Sequence, residues 1–188
     1  MIRFKFNLEK ATQAAAEVLK SNDNHMNYMK LIKLLYLIDR EGLKRWERPI
    51  TGDTYFSMKN GPILSNVLDL INWGDNPKAH SYWHEYISDP CDYEVNLIKE
   101  VPSDELSPRE IDSINEIDRI FKTFDHWEMV DYCHDNLPEW EDPGNTSSPI
   151  LIDDILKVLD KTYQDITEIQ DEIETFNYAN DLISRLND

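Results

Sequence analysis

The chain has 188 residues, two cysteines, and 37 Asp/Glu against 19 Lys/Arg, a formal charge of −18. That length fits one domain whose core needs no disulfides or metals, and Cys91 and Cys133 form no CxxC spacing, which predicts a reducing cytoplasm. No apolar run approaches the roughly 20 residues of a membrane helix and Met1–Lys10 has no signal-peptide core, so a soluble protein without a membrane partner is expected.

The charge is unevenly placed. Residues 1–60 carry 11 Lys/Arg and 7 Asp/Glu, a net +4, whereas residues 61–188 carry 8 and 30, a net −22. Such a field repels nucleic-acid phosphates and attracts basic surfaces. Nucleic acid is therefore not expected as a partner, although a high net charge also serves solubility alone.

Leu8–Lys20, with Ala11, Ala14, Ala15, Val18 and Leu19, predicts a short helix. Asn27 can cap a second over about Tyr28 to Trp46. That helix is apolar almost all round between Leu31 and Ile38, which places it centrally. Its cations Lys30, Lys33, Arg40 and Lys44 line one stripe. The stripe reads either as the solvent edge of a core helix, the preferred reading, or as a basic strip meeting an acidic element.

Thr54–Met58 predicts a short strand. Asn60-Gly61 suggests a hairpin, but Pro62 suits the first turn of a helix, so the spacing of Ile63, Leu64, Val67, Leu68 and Ile71 is read as helical. Tyr82–Ile87 and Tyr93–Val101 read as two strands around Ser88–Asp92. Ser107-Pro108-Arg109-Glu110 opens a helix carried onward by Ile111, Ile114, Ile117, Phe121 and Phe124. A further short helix covers about Trp127 to Cys133, and Glu141–Ser147 is a connector.

Ser148-Pro149 reads as the start of the last helical segment. Ile152, Leu159, Ile166, Ile173 and Asn180 form one heptad row, and Ile155, Thr162, Ile169, Phe176 and Ile183 a second. Residues 141–188 hold 3 basic and 12 acidic residues. Either one or two amphipathic helices fold back on the domain, or an acidic helix projects to dock on a partner or to form a homodimer. The expected organisation is a domain over residues 1–147 and an acidic amphipathic helix over 148–188. The expected class is α+β, mainly helical: a compact helical domain with a small antiparallel β element and a long C-terminal amphipathic helix.

Chemistry-bearing patterns are sparse. His80 and His84 share a helical face near Cys91, but no second half of a metal site follows and His84 falls in an expected strand. Cys133 and His134 are sequence neighbours, which on a helix point about 100° apart and cannot pair as nucleophile and base. Asp153-Asp154 and Asp171-Glu172 read as a solvated face, and no glycine-rich phosphate loop occurs. A helix-turn-helix from the first two helices would need its buried second helix to face a groove. No catalytic residue, metal or cofactor is expected, and the chain reads as a binding protein.

Lys30-Leu31-x-Lys33-Leu34-Leu35-Tyr36, then Pro49-Ile50-x-Gly52-Asp53, then Tyr55 with Gly61-Pro62, and downstream His134-x-x-Leu137-Pro138-Glu139-Trp140 make a combined pattern. It resembles the Panacea domain, the SocA-like antitoxin family also known from phage-associated proteins, over roughly Leu8 to Trp140. The resemblance implies a mainly helical α+β domain that neutralises a toxin encoded beside it by direct binding. The family pairs one antitoxin fold with many unrelated toxins, and one member delivers its toxin to a cytoplasmic protease. Some members carry an N-terminal DNA-binding domain, which is not expected here because the pattern begins almost at Met1. Alternatives are such a proteolytic adaptor, or a phage-encoded protein that binds a host target.

The resemblance places Lys30, Lys33, Leu34, Tyr36, Gly52, Gly61, Pro62, His134, Pro138 and Trp140 in the family's motifs, where a structural role is expected. Partner contacts are expected at Tyr55, Phe56, Met58, Lys59, Asn60 and Gly61, and on the last helix at Ile166, Ile169, Ile173 and Phe176. The acidic charge suits a toxin with a basic surface.

Overall fold

A computed structural model describes residues 1–72 and 82–187. Helix α1 (Leu8–Lys20) is capped by the Asn7 side chain, which accepts from Lys10 N at 2.8 Å. A three-residue strand, β1 (His25–Asn27), leads into α2 (Tyr28–Trp46), where Asn27 accepts from Met29 N. Both helices have the extents the sequence predicts. Leu31, Ile32, Leu34, Leu35, Tyr36, Leu37, Ile38 and Leu43 are all buried, because α2 is wrapped by α1, strands β1 and β3, and helices α3, α5, α6 and α7 introduced below.

Strand β2 (Tyr55–Met58) forms a hairpin with β3 (Gly61–Leu64), in register Tyr55 to Leu64 and Ser57 to Pro62. This corrects the expected strand–turn–helix. Pro62 is tolerated because β3 is an edge strand, in a sheet of order β3-β2-β5. Gly61 supplies φ +96° at the turn. The helix starts three residues later than expected, as α3 (Ser65–Asn72). The Asp53 carboxylate caps it, accepting from Asn66 N and Val67 N, each at 3.0 Å.

The expected strand over Tyr82–Ile87 is instead largely α4 (Tyr82–Tyr86). Trp83 and Tyr86 are buried three residues apart, facing α1, while Tyr82 and Tyr86 pair their rings at 4.8 Å. Only β4 (Glu94–Asn96) of the second expected strand is regular, and it pairs with β1. Helix α5 (Pro108–Ile120) begins at the predicted cap, where the Glu110 carboxylate accepts from Ser107 N and Oγ. Helix α6 (His126–Asn136) packs on α2 and β3.

The segment after residue 147 is not one helix. β5 (Ser148–Ile150) pairs with β2, so Ser148-Pro149 is an edge strand and not a helix start. Helix α7 (Ile152–Val158) then ends in a Schellman motif: Lys161 N donates to Leu156 O, Asp160 N donates to Lys157 O, and Asp160 takes φ +61°. Thr162 and Asp165 exchange side-chain-to-backbone bonds to start α8 (Tyr163–Asn187). The heptad rows therefore belong to two helices. Ile152, Ile155 and Leu156 are buried on α7, Ile166 and Ile169 on the first turns of α8. The result is a mainly helical α+β fold with small antiparallel sheets. No helix among the described residues is long and apolar enough to cross a membrane.

Candidate functional site

Several of the residues expected to have a structural role, Lys33, Gly61, Pro62, His134 and Trp140, meet around the β2–β3 hairpin. Lys33, on the central turns of α2, is only 1% exposed and donates through Nζ to the Pro62 carbonyl at 2.8 Å. A Cβ on Gly61 would lie 3.1 Å from Lys33 Cε and 3.4 Å from Cys133 Cβ, so the turn, the lysine stem and α6 meet there. Burial pushes the Lys33 amine down to about 8 and the Cys133 thiol up to about 11.

The stripe on α2 is thus divided: Lys44 is exposed, as a solvent edge would be, Arg40 meets an acidic residue, and Lys30 and Lys33 turn inward. Lys30 is buried and donates to the carbonyls of Lys122 and Phe124 after α5. Arg40 pairs with Glu139 at 2.7 Å, and Tyr36 OH donates to the same carboxylate at 3.0 Å. For Lys30 and Lys33 the expectation failed because seven-residue spacing reports a shared face but not its direction. The carbonyls and carboxylate that make burial tolerable lie about 30 to 100 residues away.

A second anchor holds the hairpin's other side. Trp140 Nε1 donates to the Met58 carbonyl at 3.0 Å, and its ring stacks on His134 at 4.0 Å and 13°. Beneath, Asp39 is fully buried and accepts from Ile50 N, Thr51 N, Thr51 Oγ1 and Tyr55 OH. Burial outweighs these four bonds and pushes its carboxyl up to about 6. Gly52 has φ +70°, and a Cβ there would collide with the Lys5 carbonyl oxygen. Leu34 is fully buried, while Pro138 is exposed at the turn that carries Glu139 into the interior.

The expected contact residues divide. Tyr55 faces the interior against Asp39, and Gly61 is buried under the turn. Phe56 is half-buried; Met58, Lys59 and Asn60 are exposed at the tip. Beside the tip, Tyr28, Met29, Ile32, Met58, Ile63 and Leu68 line a groove of about 280 Å³. On α8, Ile166 and Ile169 are buried, Ile173 is half-buried, and Phe176 is 55% exposed. The outer face of α6 adds exposed Trp127, Glu128, Asp131 and Asp135.

Asp39, which accepts four hydrogen bonds in the interior, is a buried polar residue that sequence reasoning left without a role. A carboxylate closing an apolar run, as Asp39 does after Ile38, is the signal that points to such a position. Among the described residues no group of three or more His, Cys, Asp and Glu could hold a metal ion. His80 lies outside them, and His84 Nε2 is 3.0 Å from the Leu70 carbonyl oxygen.

Compared with known proteins, the chain matches the family described as antitoxin SocA-like, Panacea domain, over residues 31–141, more than half its length. No curated protein and no solved structure matches it.

Proposed function

Because the chain belongs to the SocA-like antitoxin family through its Panacea domain, we propose that it neutralises a cognate toxin in the cytoplasm by direct protein–protein contact, without catalysis. The observation that carries this reading is the family match. The motif's polar groups support it, since Lys33, Tyr36, Asp39 and Trp140 are each engaged in fixing or underpinning the hairpin. A rigid tip loses little freedom on binding.

The contact surface on this reading is Met58, Lys59 and Asn60 with the neighbouring groove, flanked by the acidic face of α6. Trp127 is 55% exposed and Met58 37% exposed, and such side chains anchor interfaces. Glu128, Asp131 and Asp135 would steer a basic toxin surface.

Cells expressing the adjacent reading frame, with and without this protein, test the proposal. Rescue from growth arrest and a stoichiometric complex are expected. Met58→Asp with Asn60→Arg should abolish rescue while melting temperature is retained. A harmless neighbour, or toxicity left untouched, overturns the antitoxin reading and favours a host target. Disappearance of the partner on co-expression would replace occlusion with delivery to a protease.

A further inference from the structure

A groove of about 680 Å³ between the N-terminal segment, the loop after α2, the start of α5 and α8 runs against the charge of the rest of the chain. Arg3 and Lys5 reach it from the first residues, Arg48 from the loop, and Arg109 from the first turn of α5. All four are exposed. In a protein with nearly twice as many acidic as basic residues, such cations would be expected to hold carboxylates. Yet Arg3, Lys5 and Arg109 have no ion-pair partner among the described residues. Arg48 has only Glu172, at 3.9 Å and 74% exposed, a contact of little strength.

Of the three acidic residues on the same rim only Glu110 has a cationic partner; Asp104 and Glu105 accept from neutral amides and keep their charge, so two carboxylates stand against the four cations. Glu110 pairs with Lys10 at 2.7 Å, Asp104 accepts from Gln13 Nε2 at 2.8 Å, and Glu105 accepts from Asn7 Nδ2 at 3.4 Å. The arginines rest on rings: Arg109 lies 5.0 Å over Trp46 and Arg48 5.9 Å over Phe176. A guanidinium held on an aromatic face keeps its in-plane N–H groups for a carboxylate. The groove therefore offers two ring-held arginines and two further exposed cations beside apolar surface.

We propose that this groove binds an acidic peptide segment of a protein partner. Its carboxylates meet Arg3, Lys5, Arg48 and Arg109, and its apolar side chains lie on Trp46 and Phe176. Nucleic acid is disfavoured as occupant, since a phosphate backbone leaving the groove meets a chain of net charge −18. A peptide can confine its carboxylates to the groove and continue in neutral residues, which a phosphate backbone cannot. None of the four cations belongs to the hairpin tip, so the inference does not rest on the toxin-contact reading.

Fluorescence anisotropy of a labelled hexaglutamate peptide with the full chain at low salt tests it. Binding is expected despite the like net charges, weakening on addition of salt. In Lys5→Glu/Arg109→Glu it should fall about tenfold or more. Arg3→Gln/Lys5→Gln, which only neutralises, should lose less and serves if the reversal variant melts early. No binding to the wild-type chain, equal binding by both variants, or tighter binding of a six-nucleotide single strand than of hexaglutamate overturns the proposal. The hairpin-tip double variant should bind hexaglutamate as the wild type does, so failure here and failure of the antitoxin reading are told apart.

Discussion

The ground behind the hairpin and the length of α8 are held by opposite means. Around α2 the polar side chains are buried and bonded to named atoms: Lys33 to the Pro62 carbonyl, Tyr36 to Glu139, Asp39 to Thr51 and Tyr55. Along α8 the hold is apolar and fades, from buried Ile166 and Ile169 through half-buried Ile173 to exposed Phe176. Directional bonds in a dry interior fix one geometry, because every misplacement leaves an unpaired group. An apolar row has no such selectivity, so among its described side chains α8 is held through its first turns, at Ile166 and Ile169, while the hairpin is locked in position.

The contrast is broken most severely at Asp39. Asp39→Ala leaves four donors without an acceptor and should cost about 4 kcal/mol, measured by urea unfolding. A loss no larger than that of an average buried substitution would mean that Asp39 does not organise the loop. Its titration sharpens the point. Burial raises the carboxyl from 3.8 to about 6, so the fold prefers the protonated form. Stability from this group is present at acidic pH and is lost as pH rises through about 4 to about 6. Asn at this position does not titrate. The penalty of Asp39→Asn should therefore be larger near pH 4 than near pH 7, and a penalty that grows with pH would contradict the assignment.

Lys33 comes next. Lys33→Ala removes the stem packed on Gly61 and the donor to Pro62 O, an expected loss of about 3 kcal/mol. Lys33→Met keeps most of the volume and sheds a buried amine already pushed down to about 8, so about 1 kcal/mol is expected. Equal losses in the two variants would show that the bond to Pro62, and not the packing, carries the lysine's contribution.

Local signals were legible in the sequence wherever they were complete within a few residues. The extent of α1 followed from its alanine-rich spacing, that of α2 from the Asn27 cap and its apolar run, and the start of α5 from Ser107 and Glu110. Gly61-Pro62 misled because a proline at the first turn of a helix and a proline on an edge strand carry the same local signal, and β3 pairs through one side only. The heptad rows misled similarly. Their spacing runs unbroken through Leu159–Thr162, yet an aspartate in the left-handed region there closes one helix before the next begins. The cations of α2 were visible as a stripe, but only the fold turns Lys30 and Lys33 inward and leaves Lys44 exposed. Of the expected contact residues, those at the tip are exposed, whereas Tyr55, Ile166 and Ile169 face their own domain.

The smallest expected effect lies at the far end of α8. Removing residues 171–188 spares Ile166 and Ile169, whose burial ties the helix to the body, and among the described side chains takes away the half-buried Ile173, the exposed Phe176 and the long Glu172–Arg48 contact. Exposed ion pairs and half-buried side chains contribute little, so stability should fall by about 1 kcal/mol or less. The urea midpoint of the shortened chain, compared with that of Lys33→Ala, measures the two modes of attachment on one scale. A truncation as costly as the lysine variant would mean that α8 is bound along its whole length. The fading of burial beyond Ile169 would then have no energetic counterpart, and the distinction between a locked hairpin and a helix held through its first turns would fail.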